Sequence, residues 1–413
     1  MFVRVTAFDD GEKKALIIAV DICLMAQKYY DMCKKAIEEA TGICKDAIFI
    51  NCSHTHTGPL LGKDFASDKG SSETYDEFFV TSMRDAAVYA LADLKEATIE
   101  TASSVAKNIS FIRRYRMKDG GVQTNPGVNN PDIVRPVGDT DDSVNVMRFD
   151  REGADTIVFV NFVNHPDVVG GSKISADWPG LLRKDVEKII DGTKCIFFNG
   201  AQGDVNHVNV HPKGGDFNGM FNDFDGVSRG YAHAEYIARV VTGGVLQSFD
   251  KVNYVDVDTL VSKQKIMNVP SNRPDPKNMP EAHRINDLHN AGKDNEIPFE
   301  GMMLKTVVAE AARMVRLENG PDAFDMTLSA IVIGPVAIIG IPGEPFNGVG
   351  KGLKQTEGFD MIVPCCLTNG SEGYFPMQDS YDEGGYEARS SKFKAGVAEF
   401  IIEEGQKLLS SIK

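Results

Sequence analysis

His54 and His56 stand one residue apart in Ser53-His54-Thr55-His56-Thr57-Gly58-Pro59, in a chain with only 8 histidines. Residues 47–52, just before them, form an apolar run rich in β-branched and aromatic side chains, which predicts a strand. Gly58-Pro59 predicts a turn. On extended backbone an H-x-H pair turns both imidazoles to one face. One ring can then bind a metal while the other stands beside it, near a bound water or a substrate.

Other polar residues also follow apolar strands. His165, in Phe162-Val163-Asn164-His165-Pro166, ends a strand predicted over 156–163. It is either a second nitrogen ligand or a ring satisfied by backbone. Glu344, in Pro342-Gly343-Glu344-Pro345, follows two strands over 327–341 joined at Gly334-Pro335. It is either solvated at the sheet edge or bound to something. Asp204 follows a strand over 195–198, and Tyr374 follows one over 361–367. Ligands of open α/β sheets bind at the carboxyl edge of the strands, so one shared site is expected. Two histidines and a glutamate are a common catalytic zinc set, with a position left open for water. Zinc would lower the pKa of that water to about 7 and polarise a carbonyl. No two of these residues share a helix, so there is no H-E-x-x-H signature. His207 and His211, in an extended stretch, are expected at the rim. Asp177 reads as a helix cap and Asp21 as a structural residue.

The elements that must position these residues alternate. Strands are predicted over 2–8, 15–22, 47–52, 98–106, 110–115, 144–149, 156–163, 195–198, 254–269 (one long strand or a pair), 327–341 and 361–367. Helices are predicted over 26–40, 73–96, 177–190, 229–247, 301–317 and 387–412. Residues 118–142 carry too many Gly, Asn and Pro for any regular element. With the polar, Pro-rich stretch 270–298 they are expected to shape the pocket. A Gly- and Asn-rich stretch covers 213–226. The pattern predicts an α/β fold: a layered mixed β-sheet core flanked by helices, with the site at the carboxyl ends of strands.

Composition narrows the partners. A net charge of −15 over 413 residues argues against nucleic acid or an anionic membrane surface. Arg113-Arg114-Tyr115-Arg116 could still supply a local basic pocket. The 7 cysteines include no C-x-x-C pair, which predicts free thiols in a reducing compartment. No signal-peptide pattern precedes the first strand, and the longest apolar run, 328–342, is too short to span a bilayer. A soluble, cytoplasmic protein without an integral membrane segment is expected. No strand runs into G-x-G-x-x-G, which argues against a flavin or nicotinamide enzyme.

The motifs resemble a known family as an ordered set. They are Ser53-His54-Thr55-His56-Thr57-Gly58-Pro59, Asn164-His165-Pro166, Gly200-Ala201-Gln202-Gly203-Asp204-Val205, Gly343-Glu344, and Gly373-Tyr374 followed by Tyr386-Glu387. Nearly the whole chain is similar to the catalytic N-terminal domain of the neutral/alkaline non-lysosomal ceramidase family. The resemblance implies a zinc-dependent amidohydrolase; 1–413 is expected to be a single catalytic domain, departing from the family in lacking its C-terminal β-sandwich. It implies a ceramide-like N-acyl lipid or a smaller amide, ester or lactone as substrate. His54, His165, Glu344 and Tyr374 match the family's zinc ligands. His56 and Tyr386 match residues beside the zinc-bound water and the substrate amide. Arg113 sits where the family keeps a catalytic arginine, with Arg114 as the fallback. Asp204, Asn206, Arg114 and His207 are the expected substrate contacts. Asn206 stands where the family has a serine. An asparagine is no nucleophile but donates and accepts hydrogen bonds, so an activated water is expected rather than a covalent step. The alternative is a non-catalytic ligand-binding protein on a degenerate hydrolase fold.

Overall fold

In a computed structural model describing residues 1–62, 70–213 and 230–412, the candidate residues sit on strand–helix–strand units. Lys14–Val20, helix Gln27–Thr41 and Ile48–Cys52 form the first. Thr156–Phe162, helix Asp177–Ile189 and Thr193–Asn199 form the second. Val336–Gly340, helix Asn347–Leu353 and Met361–Cys365 form the third. The strands of each unit pair in parallel, so their carboxyl ends point the same way. His54 follows the last strand of the first unit, and His165 and Glu344 follow the opening strands of the other two.

Antiparallel strands widen each sheet. Val3–Asp9 pairs with Lys14–Val20 around a turn where Gly11 has φ 91°. Ser143–Arg151, Ala97–Val105 and Asn253–Val255 extend the second sheet, and Ala323–Ile333 and Leu260–Pro270 extend the third. The result is the expected mixed α/β layering, and alternation along the strands explains it. Met147, Phe149 and Phe159 enter a core shared with Ile48–Ile50, Ile331, Ile338 and Val363. Val144, Val146, Val158, Val160 and Phe162 turn the opposite way, onto Trp178 and helix Tyr231–Ser248. In the third sheet Leu328, Ala330, Ala337 and Ile339 turn outward onto helix Val397–Ser410. Sheets face each other inside and helices cover them outside. Each fully buried Leu, Ile or Phe contributes about 1.5–3 kcal/mol to that arrangement.

Buried asparagines stitch the sheets together where their carboxyl ends meet. Asn51 Nδ2 donates to Cys366 O at 2.6 Å and to Thr368 Oγ1 at 3.0 Å. Asn161 Nδ2 donates to Phe198 O at 3.0 Å and to Pro364 O at 3.2 Å. Backbone bonds from Cys366 N–H to Asn199 O (3.0 Å) and from Cys52 N–H to Leu367 O (3.1 Å) complete the seam.

Three sequence expectations are corrected. Residues 118–142 are not irregular throughout: Val122–Thr124 and Ile133–Pro136 flank Arg114–Met117 in a small antiparallel sheet. The stretch 270–298 contains helix Met279–Asn290, with Pro280 in its first turn, where the missing N–H costs nothing. The closing helix is broken. Tyr386–Ser390 and Val397–Ser410 are separated by a segment in which Phe393 bridges to Ser271 and Gly396 has φ 93°. The 213–226 stretch lies outside the described residues beyond Lys213.

Candidate metal centre

The two histidines of the first motif share a face, but not through strand alternation. Ile48–Cys52 has already ended, and His54 adopts a left-handed φ of 70°. Histidine tolerates that region better than most residues. Two backbone bonds hold the turn: His54 N–H to Ile22 O (3.0 Å) and His56 N–H to Pro166 O (3.1 Å). The second bond joins the loop to the segment after His165, so both histidine motifs are placed together.

Nitrogens and a carboxylate converge there. His54 Nε2 lies 3.1 Å from His165 Nε2, 3.3 Å from His56 Nε2 and 3.3 Å from Glu344 Oε2. His165 Nε2 lies 3.6 Å from Glu344 Oε2. The far edge of each buried ring is committed: His54 Nδ1 is 2.8 Å from Cys23 O, and His165 Nδ1 is 3.3 Å from Gln202 O. Each Nδ1 therefore donates to a carbonyl, which aims both Nε2 lone pairs inward. Inward lone pairs cannot satisfy one another. Ligand atoms about 2.0–2.1 Å from a tetrahedral zinc lie roughly 3.3 Å apart, which is the spacing seen here.

The electrostatics make the same demand. Burial lowers both imidazoles, but Cys23 and Glu344 hold His54 well above its ordinary value. Burial, Arg113 and His54 push His165 well below. Burial raises Glu344, yet His54, His165 and Arg113 hold it well below the usual carboxylate range. Positive charge is thus favoured among the two rings and the carboxylate. A divalent cation meets that demand and gives every inward lone pair a partner, so the residues fit a metal. Cys23, His54 and His56 form a second grouping within the same reach. There the Cys23 Sγ approaches His54 Nδ1 at 3.6 Å, on the edge already bonded to Cys23 O.

A second layer surrounds the cluster. Glu344–Pro345 pairs in parallel with Tyr374–Phe375, so Glu344 and Tyr374 stand in register. Tyr374 in turn meets the Tyr386 ring at 5.8 Å. Burial and Glu344 push the Tyr374 phenol well above 10. Of the adjacent arginines, Arg113 faces the cluster. Its Nε donates to Glu387 Oε1 at 2.6 Å, its Nη2 donates to Gly203 O at 2.7 Å, and its Cζ lies 5.4 Å from the Tyr374 ring centroid. Arg114 points away, donating to Ser380 Oγ (2.7 Å) and Gly384 O (3.0 Å). A cavity of about 450 Å³ opens onto Glu344, Tyr374 and Tyr386. That volume suits a small molecule.

The remaining expected residues lie off the cluster. Asp204 is buried, accepts from Asn347 N–H at 2.7 Å, and is pushed up to about 6, chiefly by burial. Asn206 Nδ2 donates to Asn125 Oδ1 at 2.8 Å and so pins the 118–142 segment. His207 is buried rather than at a rim, with Nδ1 3.1 Å from Asp167 Oδ1 and its ring 4.9 Å from His233. His211 is exposed. Asp177 is the first residue of its helix, with φ 52°, and the cap position is Ala176; its carboxylate accepts from the Val169 N–H (2.8 Å) and Trp178 N–H (2.6 Å), so it ties a loop to the helix start rather than capping it. Asp21 is structural, paired with buried Arg183 at 2.6 Å. Glu387 is fully buried, and its Oε2 accepts from Thr124 Oγ1 at 2.7 Å. Sequence reasoning gave Glu387, Gln202 and Cys23 no role; the only signal was Glu387's place beside Tyr386.

One glycine sets the closeness of this packing. A Cβ on Gly203 would lie 2.5 Å from Glu344 O and 2.9 Å from Pro345 O, both backbone atoms that cannot turn aside. Gly203→Ala is expected to cost about 1–3 kcal/mol of stability and to shift Glu344. Thermal unfolding and metal content, measured together, check this. An unchanged melt with unchanged metal content would refute it.

Fold and site together define a mixed α/β protein with a candidate metal centre where three sheets converge. The fold is ceramidase-like. The neutral ceramidase of Pseudomonas aeruginosa superposes with a TM-score of 0.71 at 15% identity, over 97% of this chain and 67% of that one. A ceramidase complexed with C2 superposes with a TM-score of 0.69 at 13% identity, over 98% of this chain and 68% of the other. No protein-family model matches the sequence, and no curated protein matches it. Among the described residues no helix is long and apolar enough to cross a membrane.

Proposed function

We propose that this chain is a metal-dependent hydrolase of amide bonds. The observation that carries the reading is the set of inward lone pairs on His54, His165 and Glu344, beside a cavity, in a ceramidase-like fold. These residues, with Tyr374 as a fourth, would hold zinc. When bound, zinc supplies Lewis-acid polarisation of a carbonyl and a water that ionises near pH 7.

The protein's own groups supply the rest. His56 is exposed while His54 and His165 are buried, so it can exchange protons with solvent. It takes a proton from the attacking water and returns one to the leaving amine. Arg113, fixed by Glu387 and Gly203 O, and Tyr386 donate to the oxyanion that develops on the carbonyl. Asn206, committed to Asn125 and off the cluster, forms no covalent bond. The substrate is an N-acyl compound, either ceramide-like or a smaller amide, ester or lactone.

His56→Ala tests the reading. It is expected to retain the metal, measured by elemental mass spectrometry, while turnover of an N-acyl amide panel falls about 10²–10⁴-fold. Full turnover in that variant would remove His56 from the chemistry. Absence of metal from the wild type, even after zinc is supplied, would make the chain a binding protein instead.

A further inference from the structure

The cavity over the candidate metal centre carries two cations in different states. Its apolar side includes Leu317, Phe324 and Leu367; its cations are Lys392 and Arg316. Lys392 is spoken for: its Nζ pairs with Glu372 and lies 4.5 Å from the Phe324 ring centroid. Arg316, exposed in the last turn of helix Gly301–Leu317, has no hydrogen-bonding or carboxylate partner among the described residues. A helix carboxyl end favours a cation, which explains tolerance of the charge there. It does not explain why the charge stands unpaired in a chain with 59 acidic and 44 basic residues. The two acids of the cavity wall are committed elsewhere, Glu372 to Lys392 and Glu344 to His54 and His165.

We propose that the acid arrives with the substrate: a carboxylate on the amine side of the scissile amide, received by Arg316. A guanidinium takes a carboxylate through two parallel N–H bonds, a geometry an ammonium cannot offer. Leu317 and Phe324 flank the same wall and receive the apolar part. The substrate class is therefore an anionic N-acyl amphiphile, of the N-acyl amino acid type, rather than a neutral ceramide. This rests on the hydrolase reading above. Hydrolysis of such a compound adds one water and releases a fatty acid and an amino acid.

N-octanoylglycine and N-octanoylglycinamide differ by one charge and little else, so they make the test. Wild-type protein loaded with zinc is expected to cleave the acid with a kcat/KM about fivefold above the amide, the upper range for an exposed ion pair. Arg316→Ala brings that ratio to about one through KM, Arg316→Lys keeps only part of it, and Arg316→Glu inverts it. Added salt shrinks the wild-type ratio, because the pair is open to solvent. A wild-type ratio of one, or a ratio unchanged in Arg316→Ala, overturns the proposal. If neither compound is cleaved, the hydrolase reading fails, and calorimetric titration of the same two compounds decides the anion preference alone. Selective binding of the acid, lost in Arg316→Ala, supports it; equal binding or none overturns it.

Discussion

Replacing His165 with alanine is expected to yield a folded chain that no longer retains a metal and turns over substrate about a thousandfold more slowly. The wild type is expected to carry about one zinc per chain. His165 contributes one of three inward donors from a position 1% exposed, and the neighbouring His56 is the exposed ring assigned to proton exchange. Loss of metal removes several kcal/mol of transition-state stabilisation, and each 1.36 kcal/mol is a factor of ten. The metal-free fold should suffer less. Alanine leaves a cavity, but it also removes one of three polar groups crowded together without full pairing. Zinc should therefore raise the melting temperature of the wild type and leave that of the variant unchanged, since only the wild type gains from ligand linkage. Elemental analysis, circular dichroism and thermal melts with and without zinc decide the matter. A variant that keeps both metal and activity would refute the site.

Glu387→Ala should be the most destabilising single substitution near the site. It strands the Arg113 guanidinium, 6% exposed, without its 2.6 Å partner, and it removes the acceptor of Thr124 Oγ1. Breaking one side of a buried ion pair costs about 3–5 kcal/mol. Glu387→Gln keeps the shape and one acceptor oxygen and should lose less. The double variant Glu387→Ala/Arg113→Met removes both charges and should recover much of the stability while activity stays lost. Urea unfolding of the four proteins checks the ordering. A Glu387→Ala variant within 1 kcal/mol of wild type, a threshold well below the usual cost of an orphaned buried charge, would sink the argument.

The candidate ligands were legible because each sits where an apolar strand ends, and strands such as Ile48–Cys52 and Val336–Gly340 announce themselves by uninterrupted burial. What surrounds them was not. Whether Arg113 or Arg114 faces the cluster depends on where a short strand begins: Arg113 stands between Phe111–Ile112 and Arg114–Met117, and the latter gains its register from tertiary pairing with Val122–Thr124 and Ile133–Pro136. Short strands in a Gly- and Pro-rich stretch carry no local signature of their own. The broken closing helix hid for the opposite reason. Apolar periodicity continues through Phe393, yet that residue bridges to Ser271. His54 was placed on the correct face by an argument from extended backbone, whereas a left-handed turn does the work.

The wide sequence spacing of His54, His165 and Glu344 has a kinetic consequence. Each candidate ligand of the buried set follows a strand of a different strand–helix–strand unit, so that set is complete only when the three units dock. Long-range pairings form late because the chain must close large loops first. Metal capture should therefore follow the recovery of helical signal during refolding, and cobalt absorbance would mark the moment when the three units dock.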